Sequence, residues 1–600
     1  MKIVLNHQTV ECQPSQTILE AARQAGQYIP TLCELADIDH TPGTCRVCLV
    51  EIKRKGQDHP MIVTSCNTPV EDGMEIWTRK REVREMQRLQ VELLLADHDQ
   101  TCATCLRHGD CELQDAAQFV GLKQSRFADA GLAHSRPVDR SSPAMTRDMT
   151  KCIRCFRCVT ICRKEQDIDA LVISGAGNST IVGLRNGVDQ ANSDCVTCGQ
   201  CIMVCPTGAL AEKAEVETVL GYLADPEIKT VFQFAPAIRV GFGEEFGMPP
   251  GTNVEGLLIA ALRKLGADVI LDTTFAADLV IMEEGNELIS RLQAGQRPTF
   301  TSCCPSWINF AEKHYPGILP YLSSTKSPQA CLGAMAKTYL PQKTGLNAKD
   351  IRVVSIMPCV AKKDEIVRPQ LTAGGVPEVD VVLTIREFAH LLRCENIDFK
   401  NLEPSAFDNP YMSSYSGAGV IFGTTGGVME AALRTAYFLL NGKELDTIEI
   451  EQLRGFDNIR TATVDMHNGV GQVKIAMCHG LKQTRQIVEA VLAGTVDLDF
   501  IEIMACPGGC VDGGGHLRSK KHYKPHAEKR RQTLYSIDKQ KNVRQSHKNE
   551  QVQELYRSFL GEPQSELAHR YLHTHYTNRH SFYQQTMCDI WKDVIEPFAR

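Results

Sequence analysis

The sequence predicts a multidomain chain that combines α+β modules with one large α/β domain and a helical C-terminal tail. Three observations predict this organisation. The chain has 600 residues, more than one ordinary domain holds. Ten of its 25 cysteines stand in tight C-x-x-C groups, a spacing suited to metal or cluster binding. Residues 216–515 alternate helical patterns with short strands rich in β-branched residues, as α/β domains do.

Composition narrows the class of protein. The chain is 43% hydrophobic and 23% charged with a net charge of −7, so the charge gives no basis for a nucleic-acid partner. No uncharged apolar run approaches the roughly 18–20 residues of a membrane helix, and M-K-I-V-L-N-H turns polar too soon for a secretory signal. We therefore expect a cytoplasmic protein without a membrane span. A disulfide scaffold fits poorly, because there is no signal and the cysteines are too tightly grouped.

Residues 1–80 predict a β-grasp module. M-K-I-V-L-N and Q-T-V-E-C predict a hairpin, and T-I-L-E-A-A-R-Q-A-G predicts a short helix that ends at Gly26. Four cysteines are candidate ligands: Cys33, Cys45, Cys48 and Cys66. Their layout resembles that of plant-type 2Fe–2S ferredoxins, although the gaps differ. A zinc site is the alternative for any four-cysteine group.

Residues 81–135 predict a helix followed by a second cluster site. The helix, 81–97, has an expected apolar stripe at Val83, Met86, Leu89, Leu93 and Leu94. The ligands expected for a 4Fe–4S cluster are His98, Cys102, Cys105 and Cys111. Zinc suits three cysteines and one histidine equally well. His108 lies in the same loop, so spacing alone leaves the identity of the histidine ligand open.

Residues 136–215 contain an internal repeat, because C-x2-C-x2-C-x3-C occurs twice. This spacing is typical of bacterial ferredoxin-like modules with two 4Fe–4S clusters, in which the fourth cysteine of each run binds the other cluster. The first cluster is therefore expected on Cys152, Cys155, Cys158 and Cys205. The second is expected on Cys195, Cys198, Cys201 and Cys162. A pair of zinc sites is the weaker alternative.

The predicted strands of residues 216–515 suggest parallel sheets, with helices between them. These strands are T-V-F-Q-F-A, A-D-V-I-L-D, A-D-L-V-I-M (277–282), I-R-V-V-S-I-M and V-D-V-V-L-T. Three cysteine-bearing stretches, 301–307, 356–365 and 503–515, follow strand ends, where α/β folds place their sites. They supply Cys303, Cys304, Cys359, Cys506 and Cys510. A 4Fe–4S cubane needs four thiolates, so one sulfur is left over, and the residues alone do not say which.

The stretches T-S-C-C-P-S-W, I-M-P-C-V-A-K-K-D-E and I-M-A-C-P-G-G-C-V-D-G-G-G, behind this cluster array, resemble the signature loops of FeFe hydrogenases. The resemblance covers roughly residues 1–515. It implies an H-cluster, a 4Fe–4S cubane joined through one thiolate to a two-iron unit with CO, cyanide and a bridging dithiolate amine. It also implies the reaction 2H⁺ + 2e⁻ ⇌ H₂. The implied cubane ligands are Cys304, Cys359, Cys506 and Cys510, with Cys510 bridging and Cys303 free to pass protons.

The same resemblance implies roles for further residues. A proton route would continue from Cys303 through Glu284, Ser323, Glu287 and Arg291. Lys362 would hydrogen-bond a cyanide, and Glu365 would border a secondary water path. The pocket wall would contain Pro236, Ala237, Gln329, Met357, Phe422 and Met504. Ordinary salt bridging along one helical face and core packing of the methionines are the alternative explanations.

Residues 516–600 form a separate region. Between Arg518 and Lys548 stand eleven Lys or Arg against two Asp or Glu, which predicts either a solvated linker or a positive strap on an acidic surface. The tail beyond is predicted to be helical, with His573 and His575 as structural residues. It resembles the small subunit of two-chain FeFe hydrogenases, and its one cysteine, Cys588, is too few for a cluster.

The implied cofactors are one 2Fe–2S cluster, three accessory 4Fe–4S clusters and the H-cluster. Expected partners are H₂, protons, maturation proteins, and either ferredoxin or a flavin-containing NAD(P)-linked subunit. Two other functions stay open: an H₂-sensing regulator, and an electron-transfer subunit of a larger redox complex. An iron–sulfur assembly factor is less favoured, since it would lack the 2Fe–2S start.

Overall fold

A small mixed sheet opens the chain in this computed structural model, which describes residues 1–127, 136–455, 457–520 and 522–580. Cys588 therefore lies outside the described residues. The strands are β1 Lys2–Leu5, β2 Gln8–Glu11, β3 Leu49–Lys53, β4 Met61–Thr64 and β5 Glu75–Trp77. They pair in the order β2-β1-β5-β3-β4, and β1 with β2 forms the predicted antiparallel hairpin.

Helix α1, Ile18–Gln24, packs against this sheet. It begins where the Thr17 side chain and Glu20 satisfy each other's backbone amides in a capping box. It ends close to the predicted Gly26, which turns the chain away at a φ of +68°. The module thereby closes a small core over the sheet.

Helices α2 Arg81–Ala96 and α3 Glu112–Phe119 form the next module. The predicted helix is confirmed, but its predicted apolar stripe is partly wrong, because Met86 and Leu93 are 44% and 47% exposed. The buried positions are Val83, Gln87, Val91 and Glu92. Glu92 is paired with Arg126 at 2.6 Å, and the Gln87 amide donates to a backbone carbonyl. Satisfied polar groups thus lie on the face that hydrophobicity alone would turn outward.

The repeated cysteine runs lie in a module of short elements. These are β6 Val138–Asp139, β7 Met145–Asp148, α4 Arg157–Thr160, β8 Leu171–Ser174, β9 Ile181–Leu184, α5 Gln200–Val204 and β10 Leu210–Glu212. The repeat extends to the backbone. Arg154 and Phe156 before α4, and Thr197 and Gly199 before α5, all have positive φ. Each run therefore turns in the same way before its helix.

Two four-stranded sheets form the large α/β region, together with a separate two-stranded pair, Thr372–Ala373 with Val376–Pro377. The strands are β11 Lys229–Phe234, β12 Val269–Asp272, β13 Thr299–Phe300, β14 Ile351–Met357, β15 Thr372–Ala373, β16 Val376–Pro377, β17 Val381–Thr384, β18 Ile459–Asp465, β19 Gln472–His479 and β20 Phe500–Met504. One sheet has the order β12-β11-β14-β17 and is parallel throughout. The other has the order β13-β20-β19-β18, with only β18 antiparallel. The predicted parallel α/β architecture is confirmed.

Helices cover both sheets. They are α6 Val216–Ala224, α7 Ile238–Gly241, α8 Glu255–Leu265, α9 Thr273–Gln293, α10 Pro305–His314, α11 Pro328–Thr344, α12 Ala361–Glu365, α13 Ile385–Cys394, α14 Gly417–Ile421, α15 Gly427–Asn441 and α16 Leu481–Leu492. The predicted strand 277–282 is wrong, because these residues lie inside α9. Helix α9 is buried on nearly all sides, so its apolar residues run continuously and mimic a buried strand. The Asp272 side chain caps its first turn.

The C-terminal region lies against the rest of the molecule through helices α17 Ala527–Gln540, α18 Glu550–Leu555 and α19 Glu566–Leu572. Its basic residues are paired. Lys520 lies 2.7 Å from Asp115, and Arg530 lies 2.7 Å from both Glu244 and Asp512. His573 and His575 follow α19 and are not in a helix, contrary to the sequence prediction. In the described ranges, no helix is long and apolar enough to cross a membrane.

Buried cations join the modules. Arg157 of α4 donates to Glu112 of α3 at 3.0 Å and to the Glu34 carbonyl at 2.9 Å. Arg386 of α13 pairs with Glu212 of β10 at 2.9 Å. These guanidinium groups are buried away from water. Loss of a carboxylate partner would therefore leave a buried charge uncompensated. The cluster-bearing loops are thereby held in fixed positions against the α/β region.

Candidate active site and iron–sulfur sites

The three cysteine loops converge because each follows a parallel strand. Strand β13 ends at Phe300, β14 at Met357 and β20 at Met504, and a cysteine lies within three residues of each end. Strands β13 and β20 lie in one sheet and β14 in the other, and the carboxyl ends of all three border one cavity, the position where α/β folds bind ligands. The five thiols consequently line one cavity.

This cavity, counted together with its opening to solvent, spans about 820 Å³. Its lining contains Lys362 and the predicted wall residues Pro236, Ala237, Gln329, Met357, Phe422 and Met504. It also contains the five thiols of Cys303, Cys304, Cys359, Cys506 and Cys510. The surface of the cavity is therefore apolar and thiol-rich, with one cationic side chain.

The adjacent cysteines 303 and 304 have different neighbours. Cys304 is the N-cap of α10, with Pro305 at the first helical position. Burial raises the pKa of its thiol, and Cys506 is the charged neighbour that raises it most. Burial also raises the pKa of the Cys303 thiol well above its usual range, and there the Glu284 carboxyl is the strongest charged neighbour. Both thiols line the cavity, and Cys303 additionally has a carboxyl group of α9 as a neighbour.

Lys362 is held by a buried polar cluster. Its ammonium donates to Glu365 at 2.9 Å and to the Cys303 carbonyl at 3.3 Å. Although burial lowers the pKa of Lys362, the Glu365 carboxylate raises it more, so the ammonium stays charged. Glu365 also accepts from Gln329 and from Ser327, each at 3.0 Å. A fixed cation thus lines the cavity beside Cys303, suited to binding an anion.

Residues of α9 lead from Cys303 toward the surface. Glu284 is fully buried, and neither of its oxygens has a hydrogen-bond partner among the described residues. Burial, and then the Glu287 carboxylate, raise the pKa of Glu284 to about 8. Ser323 donates to Glu287 at 2.7 Å, and Arg291 lies 2.8 Å from Glu287. The alternative of simple salt bridging fits Glu287 and Arg291 but gives no partner to Glu284.

The C-terminal tail covers this row of residues. His573 Nδ1 lies 2.8 Å from the Ser324 hydroxyl, and its Nε2 lies 3.0 Å from Glu283. The Ser324 amide donates to Glu287 at 3.1 Å. The Tyr576 hydroxyl donates to the Ser323 carbonyl at 3.1 Å. His573 therefore has a structural role, as the sequence predicted. The reason is its two hydrogen bonds, to Ser324 and Glu283, and not its position in a helix.

The eight cysteines of the repeated runs line two smaller cavities, with four cysteines in each. One, of about 340 Å³, is lined by Cys152, Cys155, Cys158 and Cys205. The other, of about 420 Å³, is lined by Cys162, Cys195, Cys198 and Cys201. This is the crosswise grouping that the sequence predicts.

The four cysteines of the first N-terminal site lie together, as predicted. Cys33 contacts Cys45 and Cys66, and Cys48 contacts Cys66. At the next site, burial lowers the pKa of His98 to about 4, and its Nδ1 is buried without a partner among the described residues. His108 is exposed. A neutral imidazole with an orphaned buried nitrogen suits a metal ligand, so the geometry favours His98.

Sequence reasoning missed several residues that complete these sites. Thr273, Ala277, Ser306 and Gly423 line the large cavity, and Gln200 and Tyr523 contact its cysteine loops. Small side chains of this kind form no sequence pattern that would identify them as cavity residues. Gln200 had one available signal, its position between two ligand-type cysteines. Tyr523 lies more than 300 positions along the chain from Gln200, so only the fold brings them together.

Cluster-binding cysteine loops that lead to a thiol-lined cavity define an iron–sulfur oxidoreductase with a buried redox site. Matching family models are the 2Fe-2S iron-sulfur cluster binding domain (1–81), the NADH-ubiquinone oxidoreductase-G iron-sulfur binding region (87–126) and the 4Fe-4S dicluster domain (151–209). Two more are the iron only hydrogenase large subunit, C-terminal domain (228–514), and the iron hydrogenase small subunit (524–579).

Two relatives that align along nearly the whole chain are also hydrogenases by name. The NADP-reducing hydrogenase subunit HndD of Solidesulfovibrio fructosivorans is 42% identical, covering 96% of this chain and 99% of the relative. Iron hydrogenase 1 of Clostridium pasteurianum is 38% identical over the same shares. A solved apo [FeFe]-hydrogenase variant from Chlamydomonas reinhardtii is 39% identical, with a TM-score of 0.55 and coverage of 62% of this chain and 100% of its own.

The chain belongs to the FeFe, or iron-only, hydrogenases. It is an iron–sulfur enzyme that interconverts H₂ with protons and electrons, as the sequence resemblance implied. Its residues fit the H-cluster of that family, because the cavity offers one thiol more than a cubane needs and a fixed ammonium for an anionic ligand. Iron–sulfur clusters and the H-cluster are its cofactors.

The unusual environment of Glu284 predicts a pH-dependent stability. Its pKa is about 8 when folded and about 4.3 in an unfolded chain. Because the pKa is higher in the folded state, protonated Glu284 contributes its full stabilisation of the fold at pH values below the unfolded pKa. This contribution to the free energy of unfolding is lost as the pH rises from there toward 8, by up to about 5 kcal/mol. We expect Glu284→Gln to raise the thermal unfolding midpoint at pH 8 relative to wild type, with little change at pH 5. Equal differences at both pH values would contradict this account.

Proposed function

We propose that this chain is the hydrogen-converting subunit of an NAD(P)-linked complex, with ferredoxin as the alternative electron partner. The single observation that supports this most is the 42% identity, over nearly the whole of both chains, with a subunit named as NADP-reducing. The described residues contain no recognisable nucleotide loop after a strand, so a second, flavin-containing chain would carry the nucleotide chemistry. Maturation proteins would install the H-cluster, and we expect a cytoplasmic location.

The chain is proposed to contain five modules, and the electron route passes through the first four. The boundaries of the five modules are residues 1–80, 81–135, 136–215, 216–515 and 516–600. The first would carry one 2Fe–2S cluster, the second one 4Fe–4S cluster on His98 and three cysteines, and the third two 4Fe–4S clusters held crosswise. Buried ion pairs between consecutive modules support this order, because they keep the cysteine loops of neighbouring modules in contact.

We assign four of the five cavity thiols to the cubane: Cys304, Cys359, Cys506 and Cys510. Cys510 would bridge to the two-iron unit. When bound, the H-cluster supplies the redox-active iron and an internal amine that exchanges protons. The apolar wall would exclude water from this unit, and the small side chains Ala237 and Gly423 leave room for its diatomic ligands. Lys362, fixed by Glu365, would donate to a cyanide.

Cys303 is assigned as the thiol that passes protons between the cavity and Glu284. Its position in the cavity lining, with Glu284 as its strongest charged neighbour, supports this role. Glu284, with a pKa of about 8, can be either protonated or ionised near neutral pH, as a relay requires. Ser323 and Glu287 would continue the route, and Arg291, with 19% of its side chain exposed, reaches solvent.

The electron partner is tested on anaerobic, fully matured protein. We expect H₂ turnover with a NAD(P)-linked flavoprotein subunit plus NAD(P)H, and none with NAD(P)H alone, because the chain itself would bind no nucleotide. Reduced ferredoxin is the comparison donor. Turnover with NAD(P)H in the absence of any second chain would contradict the proposal, and turnover with ferredoxin alone would favour the alternative partner.

Cys303→Ala should leave the H-cluster assembled and lower H₂ turnover by at least about 100-fold, since general acid–base transfer contributes about 10²–10⁴-fold. Infrared bands of bound CO and cyanide should remain as in wild type. Cys304→Ala is the matched control, and there the bands should be lost with the cubane. Loss of the bands in the Cys303 variant would instead make Cys303 a ligand.

His98→Ala should remove or alter one 4Fe–4S signal in electron paramagnetic resonance, because the neutral buried imidazole is the ligand that the geometry favours. His108→Ala is the matched control and should leave the spectrum unchanged, since His108 is exposed. The reverse pattern would assign the cluster to His108. Iron content per chain provides an independent measure of cluster loss.

A further inference from the structure

Gln200 contacts both a relay cluster site and the catalytic cavity. It stands between Cys198 and Cys201 at the start of α5 and is fully buried. It lines the cavity that holds these two cysteines. Its side-chain Nε2 donates to the Cys506 sulfur at 3.1 Å, although Cys506 is 306 positions away. One side chain therefore joins an accessory cluster site to a proposed ligand of the catalytic cubane.

Tyr523 fixes the orientation of this amide. Its hydroxyl donates to Gln200 Oε1 at 2.7 Å. Because the oxygen is thereby used as an acceptor, the nitrogen of the amide is left to face the Cys506 sulfur. Tyr523 is itself anchored, since its backbone amide donates to the Asp37 carboxylate at 2.6 Å. The basic segment 518–548, which we call the C-terminal strap, thus orients a hydrogen-bond donor at the catalytic cavity.

The backbones around this contact are close. A Cβ atom on Gly514 would lie 2.2 Å from the Cys198 carbonyl oxygen, and one on Gly199 would lie 3.1 Å from the Gly514 Cα. Such distances admit no side chain, so the accessory loop and the catalytic loop pack directly on each other. The Gln200 hydrogen bond therefore joins the two sites beside a direct contact of their backbones.

We propose that Gln200, oriented by Tyr523, raises the reduction potential of the catalytic cubane and so sets how electrons divide between it and the adjacent cluster. Reduction adds negative charge that is shared by the ligand sulfurs, and a hydrogen-bond donor stabilises the reduced form. Both residues act as positioning residues, through Cys506. This inference rests on the proposed function, in which Cys506 is a cubane ligand.

The test is a redox titration of holoenzyme variants, followed by electron paramagnetic resonance of each cluster. Gln200→Leu should shift the one-electron equilibrium of the cubane about tenfold toward the oxidised form, which corresponds to about 59 mV. Gln200→Glu should shift it further, because a carboxylate adds negative charge. Tyr523→Phe, which does not touch Cys506, should give a smaller shift in the same direction.

Gln190→Leu is the matched control. Gln190 lines the same accessory cavity and lies beside Cys195, so its loss should move the potential of the accessory cluster and leave the cubane unchanged. An unchanged cubane potential in both Gln200→Leu and Gln200→Glu would overturn the inference. If Gln200→Leu fails to assemble its clusters, Tyr523→Phe decides, and an unchanged potential there overturns it equally.

Cys506→Ser separates failure of this inference from failure of the proposed function. If it leaves the cubane signal and the iron content unchanged, Cys506 is not a ligand and both proposals fail. If it alters the cubane signal while the Gln200 variants do not shift the potential, only the role of Gln200 is overturned. Infrared bands of CO and cyanide in each Gln200 variant confirm that the H-cluster is intact during the titration.

Discussion

The direct backbone contact between Gly199 and Gly514 is the constraint on which the electron route depends. Electron transfer needs two cluster sites close together, and here the loops of the two sites touch without an intervening side chain. Arg386 reinforces the contact, because it pairs with Glu212 on the accessory side and donates to the Gly514 carbonyl at 3.1 Å. A desolvated ion pair of this kind costs several kcal/mol if one partner is lost. The relative position of the sites is therefore stabilised by more than packing alone.

The large α/β region brings electrons and protons to one cavity from different sides. The thiols arrive on loops after β13, β14 and β20, whereas the carboxyl groups arrive on α9, which crosses behind the cavity. Cys303 lies where these two sets of elements meet, and its neighbour Cys304 faces the thiols. Adjacent positions at the start of a helix point in different directions, so a single turn of chain can supply both a ligand and a proton carrier. This arrangement explains why two oxidisable sulfurs stand side by side.

Much of the fold and of the site could be predicted from the sequence, for physical reasons. Cluster ligands come in tight local spacings, and the three cysteine stretches follow strand ends, where α/β folds place their sites, so the crosswise cavities and the large cavity were foreseeable. The strand predicted at 277–282 failed because a helix buried on all sides loses its polar face. The outward face of α2 was misjudged because a paired Glu92 lies inside. The contact of Tyr523 with Gln200 joins distant segments, and no local pattern carries that information.

The C-terminal strap has a consequence for biosynthesis. Its side chains contact the N-terminal modules as well as the α/β region: Lys520 pairs with Asp115, Tyr523 with Gln200 and Asp37, and Arg530 with Asp512. A ribosome makes residues after 516 later than every cysteine of the described sites. The cysteines of the N-terminal modules are therefore synthesised well before the segment whose side chains join these modules to the α/β region.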